Sequence, residues 1–277
     1  MLKKSKTISF IAGSLGVGQS TTIANLALAL AQLNKKILVI DASRYETATK
    51  LLGLTEKSFK NKNLSKALRK NTTLENIILK SPHSVMVDVI FNTEDWFDTH
   101  DSDNRETELT RLFSKTKIEE NYDFILIDNY YFVEESSLTS LKVADYYIIP
   151  FKFEMNSIEH ISKITELGLY FKRTFNPKLE NLGCLASLAR KNSERDAKIF
   201  QKINELALDK SNVKLLKTII PKIKISDLND AIIKLKPDSL LSIGYKELAN
   251  EILLLSKENK NSQTSYLSGN NPMQIEG

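Results

Sequence analysis

One glycine-spaced segment near the amino terminus has the residue types of a phosphate-binding loop. It is Gly13-x-x-x-x-Gly18-Gln19-Ser20, which matches the pattern G-x-x-x-x-G-K-[ST] at every fixed position except the lysine. Glycines let backbone N–H groups point inward around phosphate oxygens, and the start of a following helix adds partial positive charge. A hydroxyl at Ser20 is suited to hold Mg²⁺. The segment predicts a nucleotide site in which Gln19 replaces the phosphate-binding lysine.

The elements around this loop predict the fold class. Short apolar runs alternate with longer helical patterns, which is typical of βαβ units, and the runs are apolar throughout, as in strands covered by helices on both faces. We therefore expect a doubly wound, mostly parallel α/β sheet with the ligand at the carboxyl edge of its strands. The predicted strands are 7–12, 37–40, 85–90, 124–127, 146–150, 182–186 and 215–220. The predicted helices are 20–33, 74–79, 106–114, 136–144, 157–172, 194–208 and 245–257.

The composition is that of an ordinary globular protein. The chain has 277 residues and a formal net charge of +5, which is compatible with contact to nucleic acid or an anionic surface. Cys184 is alone, which excludes an intramolecular disulfide, favours a reducing cytoplasm and suggests a buried packing role. We expect no membrane span, no secretory signal and no histidine-cysteine metal cluster.

The distribution of polar residues predicts one domain and a tail. Residues 1–258 form a single predicted α/β domain, within which the acidic segment 93–104 is a predicted solvated loop. Residues 259–277 are rich in asparagine, serine and glycine and are predicted to be a disordered tail.

Several sequence blocks, the loop among them, resemble the ParA/MinD group of deviant Walker A ATPases. The blocks are residues 16–22, 24–31, 36–42, 51–54, 122–128, 144–150 and 219–222. They include counterparts of that group's second-strand motif, switch region and Walker B strand. The resemblance implies a P-loop NTPase fold of the SIMIBI type that binds ATP or ADP with Mg²⁺. The residues implied for magnesium are Ser20, Asp41 and Asp128, and those implied for the nucleotide are Gly13, Ser14, Leu15, Gly16, Val17, Gly18, Gln19, Ser20, Thr21 and Pro221.

The sequence departs from this family where the chemistry lies. Ser14 replaces a signature lysine that reaches across a dimer to the partner's nucleotide, Gln19 replaces the loop lysine, and Ser43 replaces the aspartate thought to orient the attacking water. Losing the charge-assisted hydrogen bond of the lysine weakens nucleotide binding by about ten- to a hundredfold. We expect binding to persist at this affinity because ATP is abundant in the cell. A positive charge on the transferring phosphoryl group is worth on the order of 10³–10⁵ in rate, so we expect weak or absent hydrolysis. Arg44 and Lys152 are candidate replacement cations; the alternative is that both are solvated.

Basic residues in the carboxyl half suggest a DNA partner. In ParA-like proteins the nucleotide-bound dimer binds DNA non-specifically through such residues, giving salt-sensitive phosphate contacts without base readout. The alternative is an ordinary charged surface. No basic amphipathic helix ends the chain, so membrane docking is not expected. The candidate DNA-binding residues are Arg190, Lys191, Lys222, Lys224 and Lys234.

Two functions fit these features. The first is a ParA-like partition or positioning protein that binds DNA and a ParB-like adaptor or other cargo protein, as a homodimer or as a heterodimer with an active paralogue. It would be cytoplasmic and associated with the nucleoid. The second is a non-enzymatic regulatory scaffold of the MinD or FlhG type, whose former nucleotide face binds protein partners through Tyr45, Tyr130 and Tyr131.

Overall fold

The computed structural model describes residues 5–43, 45–55, 76–91, 113, 116–130, 135–210, 212–223 and 230–267. Its strands are β1 (Lys6–Phe10), β2 (Ile37–Asp41), β3 (Leu79–Lys80), β4 (Val87–Phe91), β5 (Phe124–Asp128), β6 (Tyr146–Phe151), β7 (Glu180–Ala189) and β8 (Leu215–Pro221). They form one sheet in the order β3-β4-β2-β5-β1-β6-β7-β8. Every neighbouring pair is parallel except β3 with β4. The predicted α/β class with a mostly parallel sheet is confirmed.

Helices cover both faces of this sheet. They are α1 (Gln19–Gln32), α2 (Thr47–Leu51), α3 (Glu135–Val143), α4 (Asn156–Thr174), α5 (Glu194–Asp209), α6 (Ile232–Leu235) and α7 (Leu240–Leu267). One apolar cluster unites α1, α2, α6 and α7, and a second unites α3, α4 and α5. Strand β6 contributes Tyr146 and Ile148 to the first cluster and Tyr147 and Ile149 to the second, because successive strand side chains point to opposite faces.

Burial explains why these segments form strands. Every residue of β2 and β5 is buried, as expected for central strands packed on both sides. Cys184 is buried in β7, and desolvation raises the pKa of its thiol, which suits a packing role. In the part of the chain that the structure describes, no helix is both long and apolar enough to cross a bilayer.

At one edge of the sheet, β8 is covered by a side chain of α7. The Glu251 carboxylate accepts hydrogen bonds from the backbone N–H of Lys217 at 2.6 Å and of Thr218 at 2.9 Å, and from the Thr218 hydroxyl. These contacts tie the last strand of the sheet to the last helix.

Several element boundaries differ from the prediction. The helix predicted at 74–79 is wrong at its end, because Leu79 belongs to strand β3, paired antiparallel with β4. The last helix does not stop at Lys257 but continues to Leu267, so the predicted boundary at residue 258 falls within it. The helix predicted at 106–114, apart from Phe113, the acidic loop at 93–104 and the last part of the tail at 268–277 lie outside the described residues.

Candidate functional site

The glycine-rich loop connects β1 to α1 at the carboxyl edge of the sheet, where open α/β folds bind their ligands. Gly16 and Gly18 have φ angles of +70° and +77°, which glycine adopts without strain. Gly18 is the N-cap of α1 and caps it with no side chain. The backbone N–H groups at the start of α1 are therefore left without a side-chain acceptor, which suits them to an anion.

Three side chains from other elements contact the loop and position it. The Ser187 hydroxyl donates to the backbone oxygen of Val17 at 2.6 Å, and the Lys152 ammonium donates to the backbone oxygen of Leu15 at 3.3 Å. His160 of α4 lies so close to Gly13 that a Cβ atom there would sit 2.3 Å from the His160 Cβ. The loop is thus positioned by β7, by the end of β6 and by α4.

A cleft of about 240 Å³ opens above the loop. At its mouth the rings of Tyr45 and Tyr130 meet edge to face with centroids 5.7 Å apart, and Tyr45 is 61% exposed. The lining residues are Ala12, Ser14, Leu15, Gly16, Val17, Gly18, Gln19, Ser20, Thr21, Ser43, Tyr45, Thr47, Asn129 and Tyr130. The predicted loop residues from Ser14 to Thr21 are therefore brought together around one cavity.

The Gln19 side chain does not extend freely into this cleft. Its Nε2 donates to Asp128 Oδ1 at 2.8 Å and also to the backbone oxygen of Asn129, and Gln19 is 8% exposed. The Asn129 amide in turn donates to Ser9 and to the backbone oxygen of Phe10. Gln19 is thereby bonded to the end of β5.

Asp41, the last residue of β2, is fully buried and accepts four hydrogen bonds. Its Oδ1 accepts from the Ser43 hydroxyl at 2.6 Å and from the Ser43 N–H at 3.2 Å. Its Oδ2 accepts from the Thr49 hydroxyl at 2.7 Å and from the Thr49 N–H at 2.9 Å. Because Thr49 lies in the first turn of α2, Asp41 supplies the capping acceptor that this helix lacks at its own N-cap, Glu46.

The surroundings of Asp128 disfavour its ionised form. Desolvation and the neighbouring charge of Asp41 raise the pKa of Asp128, and hydrogen bonds from Gln19 and Ser20 only partly oppose the shift. Among the described residues, Asp128 Oδ2 is buried without a hydrogen-bond partner. A buried acceptor of this kind is costly to leave ionised and unpaired.

Replacing Asp128 with asparagine is expected to stabilise the fold at neutral pH, by about 1 kcal/mol or more. The pKa of Asp128 is higher in the folded state than in the unfolded state. The unfolded chain therefore loses this proton more readily than the folded one once the pH exceeds about 4, which destabilises the parent. The variant lacks this penalty, so its gain in stability grows as the pH rises. Urea unfolding of parent and variant at pH 5 and pH 8 measures the difference.

The matched control for this substitution is Asp238→Asn, which changes the same functional group at an exposed position. We expect the control to leave the free energy of unfolding unchanged at both pH values. Equal stability of the parent and of Asp128→Asn at pH 8 would contradict the assignment of Asp128 as a strained, buried carboxylate.

The three predicted magnesium ligands lie together at the carboxyl edge of the sheet, with Asp41 and Asp128 at the ends of the neighbouring strands β2 and β5 and Ser20 at the start of α1. Both oxygens of Asp41 are occupied by Ser43 and Thr49. Asp128 Oδ1 accepts from Gln19, whereas Asp128 Oδ2 has no hydrogen-bond partner among the described residues. Magnesium requires several oxygen ligands in near-ideal octahedral geometry. The Ser20 hydroxyl and the unpartnered Asp128 oxygen are the groups that would hold the ion, together with phosphate oxygens and water.

Of the two candidate replacement cations, Lys152 is among the described residues and Arg44 is not. Lys152 reaches the loop, but its ammonium binds the Leu15 backbone oxygen and pairs with Glu154 at 3.2 Å, and it does not line the main cleft. Arg44 and Tyr131 lie outside the described residues. Within the described part of the chain, no group of three or more histidine, cysteine, aspartate or glutamate side chains is placed to hold a metal.

The candidate DNA-binding residues lie on several elements. Arg190 is ion-paired with Asp196 at the start of α5, while Lys191 is exposed in the turn before that helix. Lys234 is exposed on α6, and Lys224 lies outside the described residues. Lys222, next to Pro221 at the end of β8, lines a second cleft of about 120 Å³ beside the loop. The lining residues of this second cleft are Lys152, Phe153, Glu154, Leu188, Arg190, Arg195, Asp196 and Lys222.

Sequence reasoning missed four residues that shape the site. Thr49 and Asn129 satisfy polar groups of the cleft, while His160 and Ser187 fix the loop. Asn129 directly follows Asp128, so its position at a strand end was a usable signal. The other three contact the site without any local motif that marks them in the sequence.

The fold and the loop together define a P-loop ATPase of the ParA/MinD type. Residues 5–181 match the AAA domain family AAA_31, and the chain belongs to this family. The sequence is 26% identical over 245 residues to the sporulation initiation inhibitor protein Soj of Bacillus subtilis, covering 86% of this chain and 94% of Soj.

Solved structures agree with the fold. The ATP complex of a Cyanothece McdA variant has a TM-score of 0.76 and 18% identity, covering 90% of this chain and 97% of McdA. The septum site-determining protein MinD of Pyrococcus horikoshii, complexed with Mg-ADP, has a TM-score of 0.70 and 23% identity, covering 90% and 96% of the two chains. These likenesses establish a shared fold.

Proposed function

We propose that this chain is a ParA-like partition or positioning protein in which a nucleotide acts as a conformational ligand and is hydrolysed slowly or not at all. The observation that carries this proposal is a contrast within one loop. The backbone of Gly16 and Gly18 keeps the shape of an anion-binding turn, whereas Gln19, at the lysine position, is bonded to Asp128. Binding and catalysis are thereby separated, because backbone N–H groups hold phosphate but supply no mobile cation.

DNA and an adaptor protein are the partners that we propose for it. The chain carries a net charge of +5, and Lys191, Lys222 and Lys234 are exposed. Exposed lysines suit salt-sensitive contacts with phosphates. We further propose a ParB-like adaptor or other cargo protein, a homodimer or a heterodimer with an active paralogue, and a cytoplasmic, nucleoid-associated location. The support is the similarity to Soj and ParA proteins.

A DNA-retention experiment with ATP tests the proposal. We expect retention of non-specific duplex DNA to increase with ATP and to fall steeply with salt, while ATP turnover stays near background. Lys191→Ala, Lys222→Ala and Lys234→Ala should each lower the salt slope by about 1 if the residue contacts a phosphate. Lys163→Ala is the matched control, since Lys163 pairs with Glu159 on the surface of α4 and is not a candidate contact.

The same experiment distinguishes the partition protein from the second candidate function, a regulatory scaffold. The observation that favours a scaffold is the pair of exposed apolar side chains that line the cleft, Leu15 at 52% and Tyr45 at 61% exposed. Aromatic side chains at such a cleft suit contact with a protein partner. Indifference of the chain to ATP, combined with no retention on DNA, would reject the partition function and support the scaffold.

A further inference from the structure

We propose that the hydroxyls of Tyr45 and Tyr130 bind the terminal phosphate of a nucleoside triphosphate, as neutral hydrogen-bond donors that replace the missing lysines. The site thereby distinguishes a triphosphate from a diphosphate. This inference rests on the proposed nucleotide binding and adds the residues that recognise the last phosphate.

The first step in the argument is the position of the two tyrosines relative to the loop. Strand β5 lies between β2 and β1, so that Asp128 at its end is paired with Asp41 on one side and with Phe10 on the other. Tyr130 follows shortly after the end of β5, and Tyr45 after the end of β2. Because the carboxyl ends of these parallel strands share one edge of the sheet, both tyrosines line the same cleft as the loop.

The second step identifies this side of the cleft as the end that receives the last phosphate. In P-loop enzymes magnesium bridges oxygens of the last two phosphates. The groups that would hold magnesium here belong to Ser20 at the start of α1 and Asp128 at the end of β5. Tyr130 lies next to that strand end, whereas Lys222 and the second cleft lie on the other side of β1, toward β8. The last phosphate is therefore expected beside the tyrosines.

The third step concerns the hydrogen-bond donors at this end of the cleft. Among the described residues that line the main cleft, none is a lysine, an arginine or a histidine. The Gln19 amide already donates to Asp128, and the Ser43 hydroxyl already donates to Asp41. A phenol hydroxyl is a donor that needs no charge. The two tyrosines are therefore suited to bind a phosphate where the described lining carries no cation.

The fourth step is the geometry of the pair. The two hydroxyl oxygens are 3.5 Å apart, farther than the roughly 2.5–3.0 Å usual for an O–H···O hydrogen bond, and the rings meet edge to face. One phosphate oxygen can lie about 2.7 Å from both hydroxyls and accept from each. The backbone of Tyr45 is also held, because the Lys50 ammonium donates to its carbonyl oxygen at 3.3 Å and pairs with Glu46. The pair is thus arranged to donate to a single acceptor.

Calorimetric titration of the full chain with ADP and with the non-hydrolysable analogue AMP-PNP, both with Mg²⁺, tests this inference. Tyr45→Phe and Tyr130→Phe keep the ring and remove only the hydroxyl. We expect each variant to weaken AMP-PNP binding about tenfold, as for loss of a hydrogen bond to a charged group, and to change ADP binding by less than about twofold. Tyr170→Phe, at an exposed position on α4, is the matched control and should bind both nucleotides as the parent does.

The outcomes separate the two proposals. Phenylalanine variants that bind AMP-PNP as tightly as the parent overturn the role of the hydroxyls and leave the proposed nucleotide function intact. Equal losses for ADP and AMP-PNP also overturn this role, because the contact is then not with the terminal phosphate. Absence of binding of both nucleotides to the parent overturns nucleotide binding itself, and this inference with it.

A second variant separates the hydroxyl from the ring. Tyr45→Leu removes both, and we expect it to weaken AMP-PNP binding by about the same factor as Tyr45→Phe. A loss of affinity in Tyr45→Leu that is absent from Tyr45→Phe would assign the contact to the aromatic ring and overturn the inference.

Discussion

Substitution of Gly13 by alanine is expected to lower the free energy of unfolding by about 3 kcal/mol, at the upper end of overpacking effects, and to abolish nucleotide binding. The added Cβ would lie 2.3 Å from His160 Cβ and 2.5 Å from His160 Cγ. Neither atom is the far end of a flexible side chain, so the loop must move away from α4. Urea unfolding and ADP calorimetry measure the two effects.

Two further variants show whether this contact is the cause. Gly16→Ala adds the same methyl group where no atom lies within 4 Å, so it should cost only the strain of its positive φ, about 1 kcal/mol. His160→Gly removes the opposing atoms and should recover most of the loss in the Gly13→Ala background, although glycine within α4 itself costs about 1 kcal/mol. Additive losses in the double variant would refute the proposed clash.

Removing the Asp41 carboxylate is expected to cost about 3 kcal/mol of stability. Asp41→Ala leaves four buried donors without an acceptor, two from Ser43 and two from Thr49, and it takes the capping acceptor from α2. Relief of the repulsion between Asp41 and Asp128 offsets part of this loss but does not replace the hydrogen bonds. Chemical denaturation gives the magnitude, and faster amide exchange in α2 would localise it.

A graded series strengthens this test. Asp41→Asn keeps one acceptor oxygen and should lose less than Asp41→Ala, whereas Thr49→Val removes one hydroxyl and should lose about 1 kcal/mol. An Asp41→Ala protein as stable as the parent would show that the four contacts make no net contribution to folding.

The predictable parts of this molecule are those encoded locally. Apolar runs identified seven strands of the sheet, most clearly β2 and β5, which are buried throughout because helices cover both faces. The two-residue strand β3 and the short helices α2 and α6 were missed because their periodicity is too short to detect. Glycine spacing located the loop, since the backbone conformation that it requires is a property of consecutive residues.

The site contacts were not predictable in the same way. Gln19 meets Asp128 across 109 positions of sequence, and Ser187 meets Val17 across 170. Such pairs depend on the order of strands in the sheet, which brings the ends of β1, β5 and β7 to one edge. The sequence alone indicated that the lysine was missing at position 19, but not that its replacement would hydrogen-bond to Asp128 at the end of β5.

The Glu251 carboxylate has a consequence for self-association. A terminal strand with free amides is a template for intermolecular β-pairing and fibrillar growth, and proteins protect such strands with charge or with covering elements. Here one acidic side chain does both, because it carries a negative charge and occupies the amides of Lys217 and Thr218. The open side of β8 is thereby protected against edge-to-edge aggregation by the chain's own last helix.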